Sequence, residues 1–414
     1  MNDRVILHVD QNCFYASVEM LRRPELKKVP CAVAGDPDNR HGIILAKNQL
    51  AKEAGVKTGE AIWEANVKCR DLVLVPPDFA CYLHYSRLAS ELYREYTDRV
   101  EPFGIDECWL DLTGCRNDDG FAVAEEIRAR VRHELGLTCS IGVSWNKVYA
   151  KLGSDLNKPD GTTHITRTNA KSIVYPLPAN ALLYVGPATI RKLRRIGVKT
   201  IGELIALGPD YLQKRFGIVG LKLFRFAAGL DTASVTVSGH ESSVKSIGNS
   251  ITTRHDLCTE EDIRAVTYML SESVASRLRS ADMAARTVQV SLRDDQFNHI
   301  ERQAPLLFPT QLCTELAPQA FELIMSNRFS DQRIRSLGVR ACKLIPVARL
   351  RQQSYLFSEK KRELIFDLEV TVDHLRKRYG GLSVRRGISL VDRTLTEHDI
   401  RSENVIHPVG VFGS

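Results

Sequence analysis

Three carboxylates carry the chemistry of this 414-residue chain. Asp10 closes the apolar run Arg4-Val-Ile-Leu-His-Val-Asp10, and Asp106 and Glu107 adjoin inside Phe103-Gly-Ile-Asp-Glu-Cys-Trp-Leu-Asp111. Taken singly, an Asp after a strand is a turn residue or helix cap, and an Asp-Glu pair is solvated surface. Here all three sit in apolar, β-forming segments. Carboxylates gathered at strand ends raise each other's pKa unless a cation lies between them, and hard oxygen donors select Mg²⁺ or Mn²⁺ over softer metals. The chemistry indicated is that of a two-metal carboxylate site.

The elements that must position these acids follow from periodicity. Val5, Leu7 and Val9 alternate as one face of a half-buried strand that runs out at Asp10, and Ile105 to Leu112 reads as a second strand reached through a turn at Gly104. Between them, Phe14, Val18 and Leu21 have helical spacing, and residues 30–75 read as a small α/β insert. A long helix over Tyr82 to Val100 leads into the acidic hairpin. Phe121 to Leu135, a strand over Thr138 to Val143 and a helix over Asn146 to Leu156 follow, which predicts helices laid on one face of a sheet. From Leu177 to Leu230 the pattern is short helices separated by glycines. Beyond a Ser/Thr/Val-rich linker, strands (Thr287 to Arg293, Ile334 to Lys343) mix with helices (Glu260 to Leu278, Gln311 to Asn327), and a last helix is expected over Glu359 to Tyr379.

Length alone calls for three to four domains. No apolar stretch approaches the roughly 20 residues that span a bilayer, and no signal-peptide pattern opens the chain, so a cytoplasmic protein without membrane association is expected. The ten cysteines include no Cys-x-x-Cys pair, and no His-x-x-x-His pair occurs, which argues against disulfides and zinc. The formal net charge is +7. It is concentrated: Arg191, Lys192, Arg194, Arg195, Lys199, Lys214, Arg215, Lys222 and Arg225 face only Glu203 and Asp210 between Val185 and Arg225, a density that favours a polyanion partner.

Phosphate-binding parts are present in the same order. Lys158, beside Pro159, is placed to neutralise a triphosphate; Lys147 and Lys151, four residues apart, read more simply as an exposed helix face. Asn48, Gln49 and Lys52 share adjacent helical faces and could bond phosphate oxygens. The segment Leu182 to Leu204 reads helix, Gly turn, helix, Gly turn with bases on its polar face, a hairpin that directs backbone N–H groups at a nucleic-acid phosphate, and Phe216-Gly-Ile-Val-Gly-Leu221 repeats the idea.

With these residues together, the chain resembles the Y-family (DinB/UmuC-type) DNA polymerases from Val5 to about Gly380. The strand-end Asp matches Asp10, the Ser-Ile-Asp-Glu motif matches Gly104-Ile-Asp106-Glu107, and the Gly-x-Ser-x-Asn-Lys…Lys-Pro-x-Gly signature matches Gly142 to Lys147 and Lys158 to Gly161. The resemblance implies an α+β multidomain protein of right-hand architecture: a palm over 1–13 and 75–168, fingers over 14–74, a helix-hairpin-helix thumb over 169–235, a little finger over 241–347 and a tail over 348–414. It implies error-prone translesion synthesis, adding dNTPs to a primer 3′ end on template DNA, with two Mg²⁺ ions (Mn²⁺ as a substitute) held by Asp10, Asp106, Glu107 and the Gln11 carbonyl. Nucleotide contacts would come from Asn12, Cys13, Phe14, Tyr15, Ala46, Gln49, Lys52 and Lys158, with Phe14 mainly core and Tyr15 the steric gate against a ribose 2′-hydroxyl. Val185, Gly186, Thr189 and Lys192 would touch DNA. The protein is expected to be a monomer.

Departures from the family pattern are Asn12 for a second Asp, Gly104 for Ser, Gln49 and Lys52 for Tyr and Arg, and Tyr184 for the first Gly of the thumb hairpin. A Lys keeps charge but loses bidentate geometry, which bears on nucleotide affinity more than on chemistry. Gln353-Ser-Tyr-Leu356-Phe357 resembles the peptide by which bacterial polymerases dock on a sliding clamp. Two other classes stay open: a catalytically impaired DNA-binding scaffold of the same fold, and a nucleotide cyclase with a palm-like site, which would leave the basic hairpins unexplained.

Overall fold

In the computed structural model, which describes residues 3–35, 42–116, 119–237, 244–328, 333–350 and 359–397, the strand carrying Asp10 runs Ile6–Gln11 (β1) and all six of its residues are buried. It is followed by α1 (Phe14–Arg22), then by an insert of β2 (Cys31–Ala34), β3 (Ile44–Lys47), α2 (Gln49–Glu53), α3 (Ile62–Lys68) and β4 (Val73–Val75). Next come α4 (Phe79–Arg94), β5 (Val100–Pro102), β6 (Glu107–Asp111), α5 (Gly120–Leu135), β7 (Cys139–Ser144), α6 (Lys147–Leu156) and β8 (Thr162–His164). The sheet order is β5-β6-β1-β7-β8, so β1 is central, antiparallel to both neighbours, with Asp10 opposite Glu107 on one side and Ser140 on the other.

Central position explains why β1 is not the half-buried strand its alternation implies. Leu7 and Val9 join Val18, Tyr82, Ile127 and Ile141 in the core beneath α1, α4 and α5. Ile6 packs on the opposite side with Trp109 and Ala150 of α6. Helices therefore cover both faces of the sheet, not one. Gly142 permits this: a Cβ there would stand 1.9 Å from the Ala150 carbonyl oxygen and 2.4 Å from the Ser154 nitrogen, both backbone atoms. Backbone cannot swing aside as a side chain can. Gly142→Ala is expected to destabilise by at least about 3 kcal/mol, read as a lowered urea midpoint; an unchanged midpoint would show that α6 is not seated against β7 in this way.

The insert is a separate small sheet, β3-β2-β4, with Ala32, Ile44, Ala51, Ile62 and Ala65 at its core. After β8, the short helices α7 (Ala170–Val174), α8 (Pro187–Arg195), α9 (Ile201–Ala206), α10 (Pro209–Phe216) and α11 (Ile218–Ala227) pack around Leu193, Ile201, Leu204, Leu212 and Leu223. One of the glycines here serves packing: a Cβ on Gly220 would stand 2.0 Å from the Leu212 carbonyl oxygen.

Residues 244–397 form a second compact unit, distinct from the one built by 3–35 and 43–237. It contains β9 (Ser246–Leu257), α12 (Glu260–Ser280), β10 (Met283–Asp294), β11 (His299–Thr310), α13 (Cys313–Met325), β12 (Ile334–Pro346) and α14 (Glu359–Tyr379). The antiparallel sheet, order β11-β10-β12-β9, has two edge strands, β9 and β11, that hydrophobic patterning does not reveal. β9 is rich in Ser, Thr and Asn, and β11 carries Pro305 and Pro309, which an edge position tolerates. The sequence-predicted bounds of α14 agree with the structure. This helix is anchored by Asp373, which accepts from Arg279 Nη2 at 2.7 Å, and by buried Glu369, which accepts from the same guanidinium. All ten cysteines are free, and no helix among the described residues is long and apolar enough to cross a membrane.

Candidate active site

Asp10 arrives one residue before the end of β1, and Glu107 is the first residue of the neighbouring β6, directly opposite it. Asp106 stands on the bend that precedes β6. Its carbonyl accepts from the Gln11 N–H at 3.0 Å, which ties the bend to the end of β1. Gly104 makes the bend with φ +97°, a backbone conformation that L side chains rarely adopt, and a Cβ there would stand 3.8 Å from Asp106 Oδ1. Glycine is thus the unstrained choice where the family has Ser. Burial, followed by repulsion from Asp10 and Glu107, pushes the Asp106 carboxyl up to about 7.

Two ammonium groups lie over these carboxylates. Lys151 Nζ donates to Asp10 Oδ2 at 3.0 Å and sits 3.0 Å from Glu107 Oε2, while Lys158 Nζ donates to the same Asp10 oxygen at 2.7 Å. Both also reach Asp155, at 3.5 Å and 2.8 Å. The exposed-face reading of Lys147 and Lys151 is therefore corrected, because α6 turns this face toward β1 instead of solvent. The Lys151 side chain is only 14% exposed. Lys147 is buried, pairs with Glu101 at 2.6 Å and lies 4.4 Å above the Trp109 ring.

Beneath the pair, buried His8 meets Ser154 Oγ through Nδ1 at 2.8 Å and has Nε2 3.3 Å from Glu107 Oε2; burial, reinforced by Lys151, holds its pKa well below the ordinary histidine value. Among the described residues no three Asp, Glu, His or Cys side chains close into a metal cage. The donor chemistry nonetheless fits hard cations: Asp106 lies within electrostatic reach of Asp10 and Glu107, and an ammonium already bridges those two.

On the side of the insert, Tyr15 is half-buried, stacked on Tyr82 (4.4 Å between centroids, 14° between planes) with Phe79 edge-on at 6.1 Å. Burial, then the Asp106 charge, pushes its phenol up to about 12, so the ring stands beside the acids and stays neutral. Phe14 is core, 3% exposed. Cys13 occupies the left-handed region (φ 50°) at the start of α1; burial raises its thiol pKa against the opposing charges of Lys52, Lys47 and Lys158, which places those ammoniums around it. Ala46 pairs with Val33, Gln49 donates to Glu53 at 3.0 Å, and Lys52 is exposed. Asn48 is consumed structurally: its Oδ1 accepts from Ala51 N and Cys31 N, and its Nδ2 donates to Val29 O. It cannot serve as the phosphate ligand its helical face suggests.

Asn12 is likewise spoken for. Its Nδ2 donates to Ser140 Oγ at 3.0 Å and its Oδ1 accepts from the Asp160 N–H at 2.7 Å, pinning the turn that carries Lys158. Sequence reasoning missed Lys47, Asp155 and His8, and placed Lys151 on an exposed face. The i,i+4 and i,i+3 spacing of Lys151 and Lys158 to Asp155 was the available signal.

Further along, Gly186 is the N-cap of α8, Val185 is buried, Thr189 is partly exposed and Lys192 is exposed. Tyr184 adopts φ 68°, the left-handed conformation that the usual glycine would take there, and its ring packs 6.0 Å from Phe226. Gln353, Leu356 and Phe357 lie outside the described residues.

Two family models match the chain. The impB/mucB/samB family matches residues 9–155, and the impB/mucB/samB family C-terminal domain matches residues 244–355. The chain belongs to this family, that of the UmuC/DinB-type Y-family polymerases. It is 47% identical to a DNA polymerase IV of Acetivibrio thermocellus across 95% of this chain and 99% of the relative. It is 34% identical to DNA polymerase IV 1 of Bacillus subtilis, covering 94% and 93%. The Y-family DNA polymerase chimera Dbh-Dpo4(243-245)-Dbh superposes with a TM-score of 0.72 at 21% identity, over 82% of this chain and 99% of that one, so the fold is the α+β multidomain Y-family fold.

Proposed function

We propose that this chain is a DNA-directed DNA polymerase of the translesion type, working in DNA damage tolerance in the cytoplasm. The observation that supports the reading is the junction of β1 and β6, where Asp10 stands opposite Glu107 with Lys158 on Asp10, and where Asp106 feels both acids and Tyr15 feels Asp106. Primer-template DNA and dNTPs are the substrates. Asp10, Asp106, Glu107 and the Gln11 carbonyl are the groups to hold two divalent ions, Mg²⁺ with Mn²⁺ as a substitute, which when bound lower the pKa of the primer 3′-hydroxyl and offset the triphosphate charge. The chain's own part is placement. Tyr15 walls the sugar, Lys158 with Lys47 and Lys52 meets the phosphates, and Val185, Gly186, Thr189 and Lys192 approach the DNA backbone. Residues 1–13 and 75–168 act as palm, 14–74 as fingers, 169–235 as thumb and 241–347 as little finger. The Gln353, Leu356 and Phe357 peptide docks a monomeric enzyme on a sliding clamp.

Primer extension with Mg²⁺ on undamaged and damaged templates is the deciding assay. DNA binding without incorporation by the native protein would favour the impaired scaffold instead.

The Asn12 bonds make a sharper prediction. Asn12→Ala leaves the Asp160 N–H and Ser140 without their partner and frees the Lys158 turn, so KM for dNTP should rise about tenfold with kcat less affected. Asn12→Asp still accepts from Asp160 and can accept from the Ser140 hydroxyl, so it should stay near wild type. Steady-state kinetics of both variants check this; equal losses in both would mean that Asn12 does not work through the turn.

A further inference from the structure

We propose that Lys151 is an internal counter-cation that has to leave the Asp10–Glu107 edge before a divalent ion can bind there, and that Asp155 is the positioning residue that receives it. This rests on the metal reading above. Lys151 Nζ stands 3.0 Å from one oxygen of Asp10 and 3.0 Å from one oxygen of Glu107, so it occupies the edge where those two carboxylates would share an ion. An ammonium and a divalent cation repel, and cannot both use these oxygens.

The way out is built into α6. Asp155 is one helical turn beyond Lys151, 3.5 Å from its ammonium through Oδ2, and its side chain is 47% exposed. Lys158 takes the other oxygen, Oδ1, at 2.8 Å. Asp155 can therefore hold both ammoniums at once, each on its own oxygen, keeping them beside the site after they release Asp10. The charges agree with this exchange. Asp10, Asp106, Glu107 and Asp155 supply four carboxylates and Lys151 and Lys158 two ammoniums, so with all groups ionised the cluster is two positive charges short, which one divalent ion supplies.

The bridged arrangement then acts as a competing state that lowers apparent metal affinity by the fraction of molecules it holds. The two residues should have opposite effects. Lys151→Gln removes the competitor, and Asp155→Asn removes the alternative acceptor and leaves Lys151 on the carboxylates.

The test is Mn²⁺ titration of the full chain without DNA or nucleotide, followed by the electron paramagnetic resonance of free Mn²⁺, with Asp106→Asn as the control that identifies the site. Lys151→Gln is expected to tighten Mn²⁺ binding about tenfold and Asp155→Asn to weaken it about threefold, with Asp155→Glu restoring wild-type affinity. Lys151→Met serves equally if the Gln variant folds poorly. A merely structural role for these residues would weaken binding in both or leave it unchanged, and either result overturns the proposal. If wild-type protein shows no Mn²⁺ binding that Asp106→Asn removes, the metal reading itself fails and this inference falls with it. If that binding is present and Lys151→Gln does not tighten it, only the inference falls.

Discussion

Asp106→Ala is expected to lower primer extension by at least about 10³-fold while leaving affinity for primer-template DNA within about twofold. Asp106 lies on the bend before β6 and is not among the basic residues of α8 to α11, so the positive charges proposed to meet DNA are unchanged. What the variant removes is a carboxylate that burial, then the Asp10 and Glu107 charges, push up to about 7. A second readout separates loss of charge from damage to the fold. Because the folded-state pKa lies above the unfolded one, the ionised carboxylate costs stability: the metal-free native state is favoured most below the unfolded value, and the advantage is lost as pH rises toward about 7. In EDTA, the isosteric Asp106→Asn should therefore gain thermal stability over wild type as pH rises from 4 to 7, with little further gain above. Extension surviving in Asp106→Ala, or a stability difference that does not depend on pH, would remove Asp106 from the centre of the site.

What the sequence discloses about this site is the part written in apolar alternation. The β1 and β6 strands announce themselves because their inward positions are Val, Leu, Ile and Trp, and their ends are marked by acids. The lysines are harder. Helical spacing says that Lys147, Lys151 and Asp155 share a surface of α6, but not that this surface meets a central strand; that depends on Gly142, whose missing Cβ admits the helix. Asn12 and Asn48 show the same limit from the other side. Both look like ligand-binding amides in a one-dimensional reading, and both are occupied by backbone groups distant in sequence: Asp160 for Asn12, and Cys31 and Val29 for Asn48. The strands β9 and β11 are hidden because an edge strand needs little apolar patterning. Long-range pairing, not local propensity, decides each of these cases.

Tyr15→Ala should collapse sugar discrimination. The Tyr15 ring is held on two sides, stacked on Tyr82 and met edge-on by Phe79, so it is a stiff wall and not a side chain that yields to a bulkier sugar. It stands close enough to Asp106 to feel its charge, so under the proposed function the wall lies beside the reacting end of the nucleotide. A hydroxyl that must enter this space is rejected by overlap, and rejection by a built obstacle disappears when the obstacle is cut away. The ratio of kcat/KM for dCTP over CTP is expected to fall about hundredfold in Tyr15→Ala, with dCTP incorporation itself reduced less than about tenfold. Tyr15→Phe distinguishes wall from hydrogen bond: it keeps the ring and the stacking on Tyr82 and loses only a phenol that is neutral in any case, so discrimination should persist. Equal loss in the Phe variant would assign selectivity to the hydroxyl. Unchanged discrimination in the Ala variant would place the gate on another residue of the Phe14, Phe79 and Tyr82 cluster.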